Sequence, residues 1–206
     1  KNFEIEIMID VGAHYGLYTD LILNNFAVKK AFLFEPQKNI FRAIKKKYSK
    51  IKKVNVFNAA ASSITGLKNI YINKHDLTSS LNKLNKKNIY LKFKAILFGG
   101  SINEMIKDTY KIKTINLANF INKKKLKNID LLKVDTEGHE LEVLLGLKQK
   151  IKIIKIILIE FHSDIIYQNY KSEKIHNYLE KHNFELKEKM KFPFTEWEDR
   201  IYIKSE

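Results

Sequence analysis

The 206-residue sequence predicts an α/β domain on a mostly parallel central sheet, closed by an antiparallel strand pair at its C-terminal end. Three observations predict it. Short apolar runs alternate with amphipathic stretches of helical spacing along most of the chain. The inner runs, such as IDLLKVD (129–135) and IKIILIEF (154–161), are almost continuously apolar, as strands covered on both faces are. The last two, FELKEK (184–189) and RIYIKS (200–205), alternate apolar with polar residues, the mark of one-sided antiparallel strands.

The elements follow in order. IEIMIDV (5–11) reads as a first strand ending at Asp10, and YTDLILNNF (18–26) has helical spacing. KKAFLFEP (29–36) is a second strand stopped by Pro36, FRAIKKKYSK (41–50) a helix, and VNVFNAA (54–60) a third strand. Residues 61–113 are less regular; within them KNIYIN (68–73) and YLKFKAI (90–96) are expected to pair as strands. INLANFINKK (115–124) predicts a helix. The buried run at 129–135 precedes a helix from Glu140 to Gly146, and 154–161 is the fifth major strand. SEKIHNYLEKHN (172–183) predicts a helix with Ser172 as its cap. Without repeats or a Ser/Gly/Pro linker, the chain reads as one domain over 1–206 with an irregular insertion around 61–113.

Composition closes several routes. Apolar residues make up 45% of the chain, which supports a folded core, and the absence of cysteine removes disulfides and thiolate metal sites. No apolar stretch approaches the eighteen or so residues of a membrane span; IKIIKIILIEF (151–161) already carries two lysines and a glutamate. The chain starts at Lys1 without a signal-like segment, so a cytoplasmic protein is expected. Lys plus Arg total 38 against 23 Asp plus Glu, a formal charge of +15 that suggests an anionic partner. Nearly all of it is lysine scattered among Ile and Asn, whereas base reading favours arginine's planar fork, so nucleic acid is the lesser expectation.

Two ends of a site are legible. In IDVGAHYGLYTDL (9–21), Gly12 and Gly16 flank a sharp strand-to-helix passage where a side chain would obstruct a ligand or the turn. The spacing is neither Gly-x-Gly-x-x-Gly nor a phosphate loop. Glu35, ending the next strand in LFEPQ, can accept both hydroxyl hydrogens of a ribose, or can be a plain strand-end acid held by Pro36 and solvent. Asn58, Ala59 and Ala60 end the third strand in the same layer.

At the other end, DLLKVDTEGHE (130–140) places Asp135, Glu137, His139 and Glu140 after a buried strand, with Glu160 and His162 closing the neighbouring one. Three readings stay open. A carboxylate or imidazole here can orient or deprotonate a hydroxyl; Asp135, Glu137, Glu160 and His162 can ligate a hard divalent cation; or the acids satisfy the loop's own backbone. The spacing fits neither a calcium loop nor a zinc His-x-x-x-His pair. Lys133 either neutralises Asp135 or snorkels to an edge. Trp197 and Phe194 form a substrate-side cover or close the core, and His75, His176 and His182 read as ordinary surface or helix residues.

Taken together, IDVGAHYGLYT, FEPQKNIF, NAA, TINLANFI, LLKVDTEGHELEVLLG and IEFH (159–162) resemble the FkbM family of S-adenosylmethionine-dependent methyltransferases, over most of the chain. His14 stands where that family commonly has Asn. The resemblance implies a Rossmann-like class I methyltransferase domain transferring a methyl group to oxygen on a sugar, glycan or small metabolite. It implies that Asp10, Gly12 and Gly16, with Ala13, Tyr15, Tyr18 and Thr19 of the same turn, frame the cofactor's methionine part. Glu35 with Pro36 would hold its ribose, Asn58 to Ala60 would lie near its adenine, and Asp135 would reach cofactor and acceptor alike. DLTSSL (76–81) would cover the site through Ser79 and Ser80. Asp135, Glu137 and His162 are the expected catalytic residues, with His139, Glu160 and Trp197 on the acceptor side and a divalent cation open. The alternatives are an RNA 2′-O-methyltransferase, suggested by the charge and a Lys133–Asp135–Glu160 set, and a catalytically silent binding module.

Overall fold

A computed structural model describes residues 4–73, 79–89, 91–92, 101, 106–191 and 195–205. Its first half is a run of strand–helix units: β1 (Ile7–Val11), α1 (Leu17–Asn25), β2 (Lys30–Phe34), α2 (Lys38–Lys47) and β3 (Val54–Phe57). After β4 (Ala60–Ala61), β5 (Gly66–Asn73) and β6 (Ile106–Ile115) come α3 (Leu117–Lys123), β7 (Ile129–Val134) and α4 (Glu140–Leu145). A 3₁₀ turn, Lys148–Ile153, leads to β8 (Ile154–His162), and α5 (Ser172–Lys181), β9 (Phe184–Lys191) and β10 (Trp197–Lys204) complete the chain.

Seven strands form the main sheet in the order β3-β2-β1-β7-β8-β10-β9. All neighbouring pairs are parallel except those made by β10, which runs antiparallel to both β8 and β9. The near-continuous apolar strands are explained by two separate cores. Ile9, Val11, Phe32, Phe34, Leu132 and Val134 pack on one face, while the intervening Met8, Ala31, Leu33 and Leu131 pack on the other against Ile22, Ile40 and Ile44 of α1 and α2. Successive side chains of a strand point to opposite faces, so both parities must be apolar when both faces are covered. Chain order reverses between β1 and β7, whose C-terminal ends diverge into a crevice, the usual ligand position of such sheets.

Three expectations change. The run 54–60 is two strands, because Asn58 donates through Nδ2 to the carbonyls of Glu35 (3.0 Å) and Pro36 (2.9 Å) and turns the chain away from β3. Ala60 and Ala61 then pair with β6 in a second sheet of order β4-β6-β5, built from the stretch expected to be irregular. β5 pairs with β6 rather than with 90–96: Ile70 faces Tyr110 and Lys68 faces Ile112, while Leu91 and Lys92 are helical and the rest of 90–96 lies outside the described residues. The alternation of Tyr110, Ile112 and Thr114 supplies the apolar face that makes this pairing favourable. Ser172 is the first helical residue of α5, not its cap; its backbone N–H donates to Asp164 Oδ1 at 2.7 Å, so a loop carboxylate caps the helix. No helix among the described residues is long and apolar enough to cross a membrane.

Candidate active site

The crevice at the β1/β7 divergence is a cavity of about 600 Å³, within the roughly 300–1,000 Å³ typical of small-molecule sites. At one end it is bounded by the turn after β1. The N–H groups of Gly12 and Ala13 both donate to Phe34 O, at 3.0 and 3.1 Å, which ties this turn to the end of β2. Gly12 has φ +79°, and a β-carbon there would lie 1.7 Å from Asp135 O; Gly16 has φ +73°, and a β-carbon there would meet the Tyr48 hydroxyl at 2.4 Å. Both glycines are therefore demanded by backbone conformation and close packing.

Glu35 sits at the cavity wall, almost fully buried. Its Oε2 accepts from His14 N at 3.0 Å and its Oε1 from Gln37 N at 2.8 Å, leaving each oxygen a further lone pair. Burial pushes its pKa up to about 7, against the pull of those two N–H groups. Ala13, Tyr15, Tyr18 and Pro36 line the same end, with Ala60 and Ala61 from the second sheet. Burial raises the Tyr18 hydroxyl to about 12, so it stays protonated. Asp10, Thr19, Asn58 and Ala59 stand behind the wall and do not face the cavity. Asp10 is fully buried, accepts from Thr19 Oγ1 at 2.7 Å and lies 3.7 Å from Lys133 Nζ; Asn58 holds the Glu35–Pro36 bend.

The other end is polar. Asp135 accepts from Lys133 Nζ at 2.9 Å. Burial alone would raise its pKa, but the Lys133 charge and a hydrogen bond from Glu160 outweigh burial and hold Asp135 low. Glu160 goes the other way: burial, then the Asp135 charge beside it, push its carboxyl far above the usual range. Burial likewise raises Glu137, whose Oε2 accepts from Tyr167 OH at 2.5 Å. His162 Nε2 lies 3.0 Å from Glu160 Oε2 and 3.8 Å from Glu137 Oε2, and its backbone N–H donates to Tyr170 OH at 3.0 Å. Trp197, opposite His162 in the β8–β10 register, lines this end with Thr195 and Glu196; Phe194 lies outside the described residues.

Between the ends, the DTEGHE loop is stiffened from within. Glu137 and Gly138 both have positive φ, 56° and 93°, and Glu140 Oε1 accepts from Thr136 N, Thr136 Oγ1 and Gly138 N, each at 3.0 Å. Glu140 is thus the loop's internal staple. His139 is a second one: Nδ1 pairs with Asn82 Oδ1 at 2.9 Å and Nε2 with Ser62 Oγ at 3.0 Å, while burial lowers its pKa to about 3. With both ring nitrogens occupied, this neutral imidazole contributes shape to the cavity. Ser80 donates through Oγ to Glu137 O and through this bond docks the 79–82 segment on the loop; Ser79 faces the cavity, and residues 76–78 and His75 lie outside the described residues. His176 and His182 are remote, bonded to Tyr202 OH and Tyr178 O.

Sequence reasoning missed Tyr167, Gln37, Ser62 and Asn82. None belongs to a local pattern; each acquires its role only from a partner 30 or more residues away or, for Gln37, from the bend after Pro36.

The comparisons agree with this architecture. The FkbM methyltransferase domain pattern matches residues 10–186. Among solved structures, the methyltransferase FkbM from Methylobacillus flagellatus KT superposes with a TM-score of 0.63 at 15% identity, covering 98% of this chain. The chain spans only 44% of that protein's length. M. capricolum TrmK in complex with S-adenosyl-homocysteine (TM-score 0.54, 12% identity, 99% of this chain and 65% of that one) is similar in fold. So is magnesium protoporphyrin IX methyltransferase from Synechocystis PCC 6803 with bound SAM (0.53, 10%, 99% and 72%). No curated protein sequence matches the chain.

Proposed function

The chain belongs to the FkbM methyltransferase family, and from that premise we propose that it is an S-adenosylmethionine-dependent O-methyltransferase acting on a hydroxyl of a sugar, glycan or small metabolite. One observation carries the reading: the Gly12–Ala13 turn and Glu35 bound one end of the same cavity whose other end holds Asp135, Glu137, Glu160 and His162. A sulfonium nucleoside carries its ribose diol and its reactive methyl as separate features along one molecule, which matches that arrangement.

In this reading Glu35 accepts the two ribose hydroxyls on its remaining lone pairs, held in place by His14 N and Gln37 N. Ala60 and Ala61 leave room for a flat base, while Tyr15 and Tyr18 cover the amino-acid part. The acceptor oxygen attacks the methyl carbon; the new C–O bond forms as the S–CH₃ bond breaks, giving S-adenosylhomocysteine and a methyl ether. The hydroxyl proton passes to the polar rim, where Asp135, held ionised, is the group placed to take it, with His162 beside it. Aligning the two reactants in line supplies much of the acceleration. Glu160, Ser79 and Trp197 stand where they would contact the acceptor, while His139 and Ser80 shape the loop behind it.

The RNA alternative draws on the net charge and the Lys133–Asp135–Glu160 set. The Lys133 ammonium pairs with Asp135 at 2.9 Å and lies 3.7 Å from Asp10, which favours a counter-ion role over contact with a target ribose. Calorimetric titration with S-adenosylhomocysteine, followed by a methyl-transfer screen over hydroxylated acceptors, tests the proposal. Absence of nucleoside binding would remove it; binding without turnover on any acceptor would leave the silent module.

A further inference from the structure

The acceptor end holds more carboxyl groups than it has cations to pair with them. Lys133 pairs with Asp10 and Asp135. Among the described residues no lysine or arginine pairs with Glu137 or Glu160, and their nearest positive candidate is His162. Glu137, Glu160 and His162 each bring one ligand atom into a common volume, all within 4.8 Å of one another.

His162 supplies an independent pointer. It is only 6% exposed, it lines the cavity, and its Nε2 makes no hydrogen bond. Glu160 Oε2, 3.0 Å away, is likewise without one, so the two atoms are adjacent but not bonded to each other. Buried polar atoms are rarely left so. Around a cation with bonds of about 2.1 Å, ligands at right angles stand about 3.0 Å apart and opposite ones about 4.2 Å. The 3.0 and 3.8 Å separations measured from His162 Nε2 fall within that span, and all three atoms lie within 4.8 Å of one another. The groups behind them are fixed as those behind metal ligands are: Tyr167 OH orients Glu137, and the His162 backbone is held by Tyr170.

We propose that Glu137, Glu160 and His162 hold a divalent cation, manganese in preference to magnesium, at the acceptor end of the cavity. Two carboxylates neutralise its charge, and the imidazole nitrogen favours manganese over the stricter oxygen demand of magnesium. Asp135 lies outside this three-atom group, its Oδ2 paired with Lys133 Nζ, and remains the rim's proton acceptor. Three protein ligands leave positions for water or for the oxygens of a vicinal diol, so the acceptor class this site selects is a compound with two adjacent oxygens.

The test needs neither cofactor nor acceptor, and so it is separate from the methyl-transfer reading. Manganese is titrated into the apoprotein and followed by loss of the free-ion electron paramagnetic resonance signal. One site per chain is expected, weakened at least tenfold in both His162→Ala and Glu160→Gln, with magnesium competing at higher concentration. Pulsed measurement on the wild-type complex should show coupling to one imidazole nitrogen, a readout independent of how any variant folds. No saturable site, unchanged affinity in the variants, or a bound ion without nitrogen coupling would overturn the proposal and leave an imidazole–carboxylate pair only.

Discussion

A β-carbon placed on Gly12 would lie 1.7 Å from the carbonyl oxygen of Asp135. The turn after β1 and the end of β7 are thus in direct backbone contact, and Asp135 N donates to Val11 O at 3.0 Å in the same seam. The two ends of the site share one seam.

Gly12→Ala therefore strains both ends at once. The positive φ alone costs roughly 1–3 kcal/mol, and the clash with Asp135 adds to it. Urea unfolding should show a loss of at least that size. Unchanged stability would mean that the β1–β7 seam is looser than this contact implies.

Glu35→Ala should weaken S-adenosylhomocysteine binding by about 1.5–3 kcal/mol, the usual worth of hydrogen bonds to a charged group, while the circular dichroism spectrum stays native. Titration calorimetry decides it; unchanged affinity would remove Glu35 from the ribose role.

The same carboxyl predicts a pH dependence. With its pKa raised to about 7, Glu35 loses its charge as pH falls through 7, so affinity should drop between pH 8 and pH 6. Glu35→Gln should be flat over that range. For the empty protein the sign reverses: the native state holds this proton more tightly than the unfolded chain, so Glu35 makes stability fall as pH rises from about 4.5 to 7.

His139 predicts the opposite slope. It stays neutral in the fold, with its pKa lowered to about 3, while the unfolded chain takes up a proton near 6.5. Its contribution is complete above that pH and is lost as pH falls toward 3, by up to about 1.4 kcal/mol per unit. Because Glu35 and His139 oppose each other between about 4.5 and 6.5, the comparison must be made by difference. Thermal melts of His139→Gln should be less sensitive to acid than those of wild type, and equal sensitivity would count against the Ser62–His139–Asn82 staple.

Asp135→Asn should lower turnover on an identified acceptor by roughly 10²–10⁴-fold, the range for a lost proton acceptor, and His162→Ala should lower it as well, both with a much smaller change in S-adenosylhomocysteine affinity. Wild-type turnover in either variant would clear that residue of essential chemistry.

Much of the frame was readable from order and periodicity. The strands at β1, β2, β7 and β8 declare themselves because both faces are covered and both parities must be apolar, and β9 because Phe184 and Leu186 are packed on one face. β10, expected to be one-sided, instead packs Tyr202 on one core and Ile201 and Ile203 on the other. Asp135 and Glu35 could be located because a carboxylate ending a buried strand has few other places to go. What local pattern could not supply was pairing across distance. Nothing in 66–115 says that Ile70 faces Tyr110 rather than a residue near 90, and nothing near Asp10 says that it turns from the cavity to hold Thr19 and Lys133.

By itself the sequence determined the parallel sheet, the glycine turn after β1 and the acids at the strand ends, because these follow from alternation, backbone freedom and charge within a few residues. Only the tertiary structure decided which acids are spent on the scaffold, as Asp10 and Glu140 are, and which face open space, as Glu35, Glu137 and Glu160 do. The reason is physical: a carboxylate's role is set by the donors that reach it, and here those donors come from Tyr167, Lys133 and backbone N–H groups that only the folded chain assembles.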